Sequence, residues 1–362
     1  AGDPSTALGM TRTVSCRWLL DASGRANFIG RKLDLIERND EHPTAAVWCR
    51  WKNVRHIDDL AARGGFSASN VGSRRLGTNH YTGYGYWIWV IPLGNGETSI
   101  GVVFDKRLVN LHQSKNRGDD FVAFLKAIPS LAELLDGAEP RMEDLRFYSH
   151  LAYATKQYMG RGWALLGDAA VFLDPYYSPG LDHASFSVEA TVRMITGGEE
   201  NLDARIAEHN ETFIRSYWRF FRAVYKDKYY YMGEADLLTA AMLIDTAQYY
   251  IFVVLPAYKF LKRFDWMPVL GPKPAFISYH LMRSYNRRFK VIAEKRRAAG
   301  RAAALNDGRR IKVFFNLGFA PMRMALRGLK LWAKAELGAL WLRARREPLA
   351  APSPAHPPAS RQ

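Results

Sequence analysis

Trp163 to Ser187, WALLGDAAVFLDPYYSPGLDHASFS, is the stretch that decides the fold. A short apolar run meets a sharp turn at Gly167-Asp168, a loop follows with Asp174, Pro175 and Gly180, and an amphipathic segment starts at Leu181. This order predicts strand, tight turn, loop and helix. A strand that brings one carboxylate, followed by a helix N-terminus, to a single place suits a cofactor with a sugar chain and an electron-poor ring. The carboxylate accepts from hydroxyls, and the helix end favours negative charge. A flavin fits that description.

The chain has 362 residues, enough for two or three domains, and 48% hydrophobic with 13% aromatic residues excludes a disordered protein. Cys16 and Cys49 are its two cysteines, so no disulfide framework, thiolate cluster or metal site is expected, and a cytoplasmic setting is the default. The formal net charge of +16 is concentrated in Lys290 to Arg310 and Arg323 to Arg346, far from the opening stretch. It is expected to belong to a C-terminal appendage, with no nucleic-acid role. The N-terminal AGDPSTALGM has no signal-peptide pattern, and the apolar run Tyr249 to Ala257 is too short to span a bilayer.

Cys16 to Leu20 predicts a strand, Asp21-Ala22-Ser23-Gly24-Arg25 a turn, and Phe28, Ile29, Leu33 and Ile36 a helix. Ala45 to Lys52 alternates, with Ala46, Trp48 and Arg50 on one face and Val47, Cys49 and Trp51 on the other. Tyr84 to Leu93 and Glu97 to Asp105 flank Gly94-Asn95-Gly96, a strong hairpin signal. Helices are expected around Asp119 to Ile128 and Ser130 to Leu135, and one strand within Arg146 to Thr155. After Gly197 the chain is helical, and the aromatic crowds at Phe213 to Tyr231 and Tyr249 to Tyr258 are expected to be helix-packing core. Ile311 to Arg343 is a basic amphipathic segment, expected to dock on the body, with peripheral membrane contact as the next reading.

No Gly-x-Gly-x-x-Gly occurs in the chain, although a dinucleotide fold opens with one after its first strand. The first element is therefore expected to be a late strand of such a fold, with the glycine loop upstream of Ala1.

Three motifs stand in order: Asp21-Ala22-Ser23-Gly24-Arg25; Trp87-Ile88-Trp89-Val90-Ile91-Pro92; and Gly167-Asp168 followed by Phe172-x-x-Pro175-x-x-Ser178-x-Gly180. Together they resemble the flavin-dependent halogenases of the flavoprotein monooxygenase superfamily, well over Ser15 to Ile195 and loosely beyond. The resemblance implies an α/β (α+β) fold: a partial Rossmann-like FAD-binding domain with an inserted antiparallel sheet, then a largely helical C-terminal region. The implied division is 1–36 and 159–198 for the FAD-binding pieces, 37–158 for the insert, 199–345 for the helical region and 346–362 for a disordered tail.

The resemblance further implies FAD as FADH2, a halide ion, a separate flavin reductase and a small aromatic or carrier-tethered substrate. Asp21, Gly24, Gly167, Asp168, Pro175, Gly180 and Leu181 are then expected at the cofactor. Trp87, Trp89, Ile91, Pro92 and Tyr177 would wall substrate from flavin. Halide would sit against Ser178, Gly180 and Leu181, because Pro179 has no N–H to give. Tyr177 stands where tryptophan halogenases place a catalytic Glu, so a phenol or pyrrole is expected rather than free tryptophan. The family's reactive lysine lies before the first motif and has no counterpart among these residues. A hydroxylase or reductase of the same superfamily, and a non-catalytic flavoprotein with a basic membrane- or partner-binding helix, are the alternatives.

Overall fold

The structure, a computed structural model, describes residues 13–63, 73–111, 114, 116–254, 269–306 and 320–344. The N-terminal residues before these, the 311–319 part of the basic segment and the 346–362 tail lie outside the described residues. Strand β1 (Leu19–Asp21) runs parallel to β11 (Trp163–Leu165), with Asp21 beside Leu165, and β10 (Met159–Gly160) closes this small sheet antiparallel to β11. Two parallel strand ends therefore open into adjacent turns, one at Asp21 and one at Gly167-Asp168. That is where open α/β sheets hold ligands.

The helix expected from Phe28 through Ile36 is shorter than its spacing suggests. It ends as α1 (Phe28–Lys32), Asp34 turns left-handed at φ 52°, and Ile36 begins β2 (Ile36–Arg38). Arg146 to Thr155 holds two strands rather than one. β8 (Arg146–Tyr148) joins the large sheet, whereas β9 (Tyr153–Thr155) pairs with β2, so the chain changes sheets between them.

The large sheet is antiparallel, in the order β4 (Asn79–Gly83), β5 (Tyr86–Pro92), β6 (Thr98–Asp105), β3 (Thr44–Lys52) and β7 (Glu139–Pro140), with β8 sharing the outer edge of β3. The Gly94-Asn95-Gly96 turn joins β5 and β6 as its composition predicts. β4 went unforeseen because Asn-His-Tyr-Thr-Gly has no apolar alternation. One sheet face packs Val47, Cys49, Trp51, Ile88, Val90 and Val102 with Phe121 and Leu125 of α3 (Arg117–Lys126) and Leu131 and Leu134 of α4 (Pro129–Leu134), next to α2 (Ile57–Arg63). The other face, with Ala46, Trp48, Trp87, Trp89 and Val103, turns toward a helical layer.

Gly101 on β6 lies between Trp48 and Trp89 in register. A Cβ there would fall 2.2 Å from Trp89 Cζ2 and 2.5 Å from Trp48 Cβ. The missing side chain lets the Trp89 indole lie across the β6 backbone.

The helical layer comprises α5 (Gly180–Thr196), α6 (Leu202–Phe220), α7 (Ala235–Tyr249), α8 (Phe276–Ala298) and α9 (Ala320–Ala344). A widened turn at Phe221–Tyr225 continues α6 and swings Tyr225, Lys228, Tyr229 and Tyr231 inward. Ala235–Val254 is long and apolar enough to cross a membrane by length and composition, yet Leu237, Ala240, Ala241, Leu243 and Ile244 are core residues here. Arg296 of α8 donates to both Asp236 oxygens and to Glu234, each at 2.8 Å, pinning α8 to the start of α7.

Candidate functional site

The two aspartates at the strand ends do different work. Asp21 is buried and its oxygens are taken up by its own turn: Oδ1 accepts from the Ser23 N–H (2.9 Å) and hydroxyl (2.6 Å), and Oδ2 from the Ile29 N–H (2.7 Å). Burial would raise its pKa, but the bonds from Ser23 and the α1 backbone outweigh it and hold the carboxylate below its ordinary value. The geometry thus makes Asp21 the organiser of the turn rather than a ligand-facing group. Gly24, in that turn, has φ +61°, and no heavy atom lies within 4 Å of where its Cβ would be, so the side it would occupy is open.

Asp168 contrasts with this. Among the described residues its carboxylate has no hydrogen-bond partner, while its carbonyl accepts from the Tyr153 hydroxyl. Burial raises its pKa, and Arg25 nearby opposes the rise. Gly167 supplies the turn with φ +53°, its N–H donating to Ser187 Oγ at 3.0 Å, and a Cβ on it would press to 3.3 Å from Ala184 Cβ of α5. The turn is thereby locked against α5. Asp168 Oδ1 lies 3.8 Å from where a Gly180 Cβ would stand, so the free carboxylate sits at the N-terminus of α5.

That helix begins at Gly180, one residue before the expected Leu181, with Pro179 as its cap. The Pro179 carbonyl accepts from the His183 N–H at 3.0 Å, which leaves the Gly180 and Leu181 N–H groups in the unpaired first turn. Leu181 is largely exposed, and Ser178 holds φ 53° in the left-handed region. Pro175 begins the single turn that precedes it, and its carbonyl accepts from the Ser178 N–H at 3.0 Å.

Trp87 and Trp89 share a face of β5, their ring centroids 5.7 Å apart. Ile91 follows on that face and Pro92 ends the strand. The aromatic row extends from Trp89 to Trp48 (6.2 Å) and Tyr148 (5.5 Å). The Arg25 guanidinium then caps it, 4.6 Å from the Tyr148 ring and 4.7 Å from that of Phe172, while donating to the His150 and Leu151 carbonyls. At its other end Trp87 meets Tyr176 (5.3 Å), and His80 touches both. Burial holds His80 below its ordinary pKa.

Tyr176, rather than Tyr177, is therefore the loop residue against the tryptophans. Successive residues of a tight single turn point about 120° apart, so Tyr177 is directed into the helical layer. Its hydroxyl donates to Asp245 Oδ2 at 2.8 Å and accepts from Lys228 Nζ at 3.2 Å. Lys228, fully buried, also donates to Asp245 at 2.9 Å and to Tyr231 at 3.2 Å, and burial lowers its pKa against the pull of Asp245.

Asp174 is the buried hub of the loop. It accepts from the Tyr176 N–H (3.0 Å), His42 Nε2 (3.0 Å) and the Tyr229 hydroxyl (2.6 Å), and that hydroxyl in turn accepts from the Trp87 indole N–H at 3.0 Å. One carboxylate therefore ties loop, sheet and helical layer together. Sequence reasoning missed Asp174, His42, Tyr229, Lys228 and Asp245 as members of this site.

The Tryptophan halogenase family signature matches residues 67–234. A flavin-dependent halogenase of Dictyostelium discoideum is 29% identical over 259 residues, 68% of this chain and 41% of that protein. The sulochrin halogenase of Aspergillus terreus is 29% identical over 228 residues, 60% of this chain and 39% of its own. The chain thus spans about two fifths of the length of these curated relatives. The structure of halogenase PltM in complex with phloroglucinol and FAD superposes with a TM-score of 0.64 at 17% identity, over 90% of this chain and 66% of that one. The motif order, the matched residues and the shared fold agree: this chain is similar to the flavin-dependent halogenases.

Proposed function

We propose that the protein is a FAD-dependent halogenase that uses FADH2 from a separate reductase, O2 and chloride or bromide to halogenate an electron-rich aromatic, free or carrier-tethered. The observation that carries this reading is Asp168: a half-buried carboxylate with no protein partner among the described residues, placed at the N-terminus of α5. Those groups fit a flavin. An acceptor-only carboxylate matches a hydroxylated chain, and the α5 end matches the negative edge of a reduced ring.

When bound, reduced FAD would supply two of the four electrons that reduce O2, and the halide would give up the other two and so reach the hypohalous level. The chain's residues do the rest. Asp168 would hold the sugar-alcohol chain, and the open side of Gly24 leaves room for its approach. The Gly180 and Leu181 N–H groups and the Ser178 hydroxyl are the donors for a halide, with Pro179 contributing none. Trp87, Trp89 and Tyr176 form an apolar wall that keeps an aromatic substrate off the flavin and excludes water between the two. With Tyr177 engaged by Asp245 and Lys228, no carboxylate stands at that position to take an indole proton, which favours phenols and pyrroles.

The test is to supply the full-length protein with reductase, bromide and a panel of phenols and pyrroles, and to weigh the products. Brominated product that requires both bromide and reductase supports the reading. Product carrying added oxygen and no bromine would make the protein a hydroxylase.

A further inference from the structure

Helix α9 carries apolar side chains on two faces. The inner face is accounted for: Met324 packs with Leu243 and Ala247 of α7, Ala335 and Ala339 join the main core, and a Cβ on Gly328 would lie 2.5 Å from Ile244 Cγ1. The outer face is not. Met322, Leu326, Leu329, Leu337 and Leu340 are 61%, 60%, 39%, 67% and 58% exposed. At 100° per residue they fall in a single row within about 80° of arc.

A second row lies beside the first, with Arg323, Lys330 and Lys334, all exposed. The one acid of α9, Glu336, faces inward and accepts from Arg288 at 2.8 and 2.6 Å and from the Trp332 indole at 3.0 Å. No carboxylate of α9 therefore offsets the basic row. The docking expected for this segment uses one face of the helix and leaves these two rows to solvent.

We propose that this face is a membrane contact and that its occupant is the headgroup layer of an anionic phospholipid bilayer. The apolar row suits the acyl boundary, and the flanking cations suit lipid phosphates at the same depth. A second copy of the chain would set basic row near basic row. A nucleic acid would satisfy the cations and leave five apolar side chains in water.

The test is sedimentation of the intact protein with vesicles of phosphatidylcholine, alone or mixed with phosphatidylserine. Partition is expected with the mixed vesicles, weakening with salt and by about fivefold for each charge removed in Arg323→Gln, Lys330→Gln and Lys334→Gln. Leu337→Glu with Leu340→Glu is expected to abolish it with the melting temperature unchanged. Equal partition to both vesicle types, or no partition to either, overturns the proposal, and this wild-type comparison decides alone if a variant fails to fold. A vesicle-free dimer that Leu337→Glu dissociates would assign the face to a second copy and also overturn it.

Discussion

Replacing Tyr229 by Phe removes one oxygen atom and should cost more than any surface change. The hydroxyl is fully enclosed. It donates to Asp174 at 2.6 Å and accepts from the Trp87 indole at 3.0 Å, and Asp174 and Trp87 are 1% and 2% exposed. Losing a hydrogen bond to a carboxylate costs about 1.5–3 kcal/mol, and stranding a buried indole N–H adds about 1–3 kcal/mol. The expected loss, measured by urea unfolding, is therefore about 2.5–6 kcal/mol. A double-mutant cycle with Trp87→Phe isolates the link, because the double variant has no indole N–H left to strand. Tyr229→Phe should then cost about 1–3 kcal/mol less in the Trp87→Phe background. Additivity to within about 0.5 kcal/mol would refute the idea that Tyr229 joins the tryptophan wall to the Asp174 loop.

Two further substitutions probe the sheet and the helical layer. Gly101→Ala puts a Cβ 2.2 Å from the Trp89 ring, so Trp48 and Trp89 must shift, costing about 1–3 kcal/mol and altering tryptophan fluorescence; an unchanged spectrum and midpoint would refute the ring-over-glycine geometry. His209, stacked on Phe213, is held by burial at a pKa of about 4, below its ordinary 6.5. The unfolded chain takes up that proton as pH falls from 6.5 while the folded chain does not, so stability drops across the window from 6.5 to 4. Between pH 6.5 and 5 the share owed to His209 is about 2 kcal/mol, and His209→Gln should flatten the urea-midpoint profile by that amount.

Much of the site was legible because its signals are local. Gly167-Asp168 ends a strand, Gly94-Asn95-Gly96 makes a hairpin, and Trp87 and Trp89 share a face through simple alternation. What escaped is long-range. Asp174 lies 132 positions from His42 and 55 from Tyr229, and Lys228 meets Asp245 across 17. Tyr225 to Tyr231 reads as ordinary helix-packing core, and that reading is largely right; the widened turn after α6 also aims several of these side chains at the loop. Tyr177 and Tyr176 exchanged roles because a tight turn, invisible in composition, sets which neighbour faces the sheet. Asp21 looks like a ligand group in sequence, whereas its carboxylate caps the backbone of the following turn.

One paired titration tests the division of labour between the two strand-end aspartates: FAD binding to the full-length protein as wild type, Asp168→Asn and Asp21→Asn, each with its melting temperature. Asp168→Asn should weaken FAD by about 10- to 100-fold, the worth of a charge-assisted bond, and leave the melting temperature in place. Asp21→Asn should lower the melting temperature as its turn loosens. Undiminished FAD affinity in Asp168→Asn, with a clear fall in melting temperature, would contradict the account.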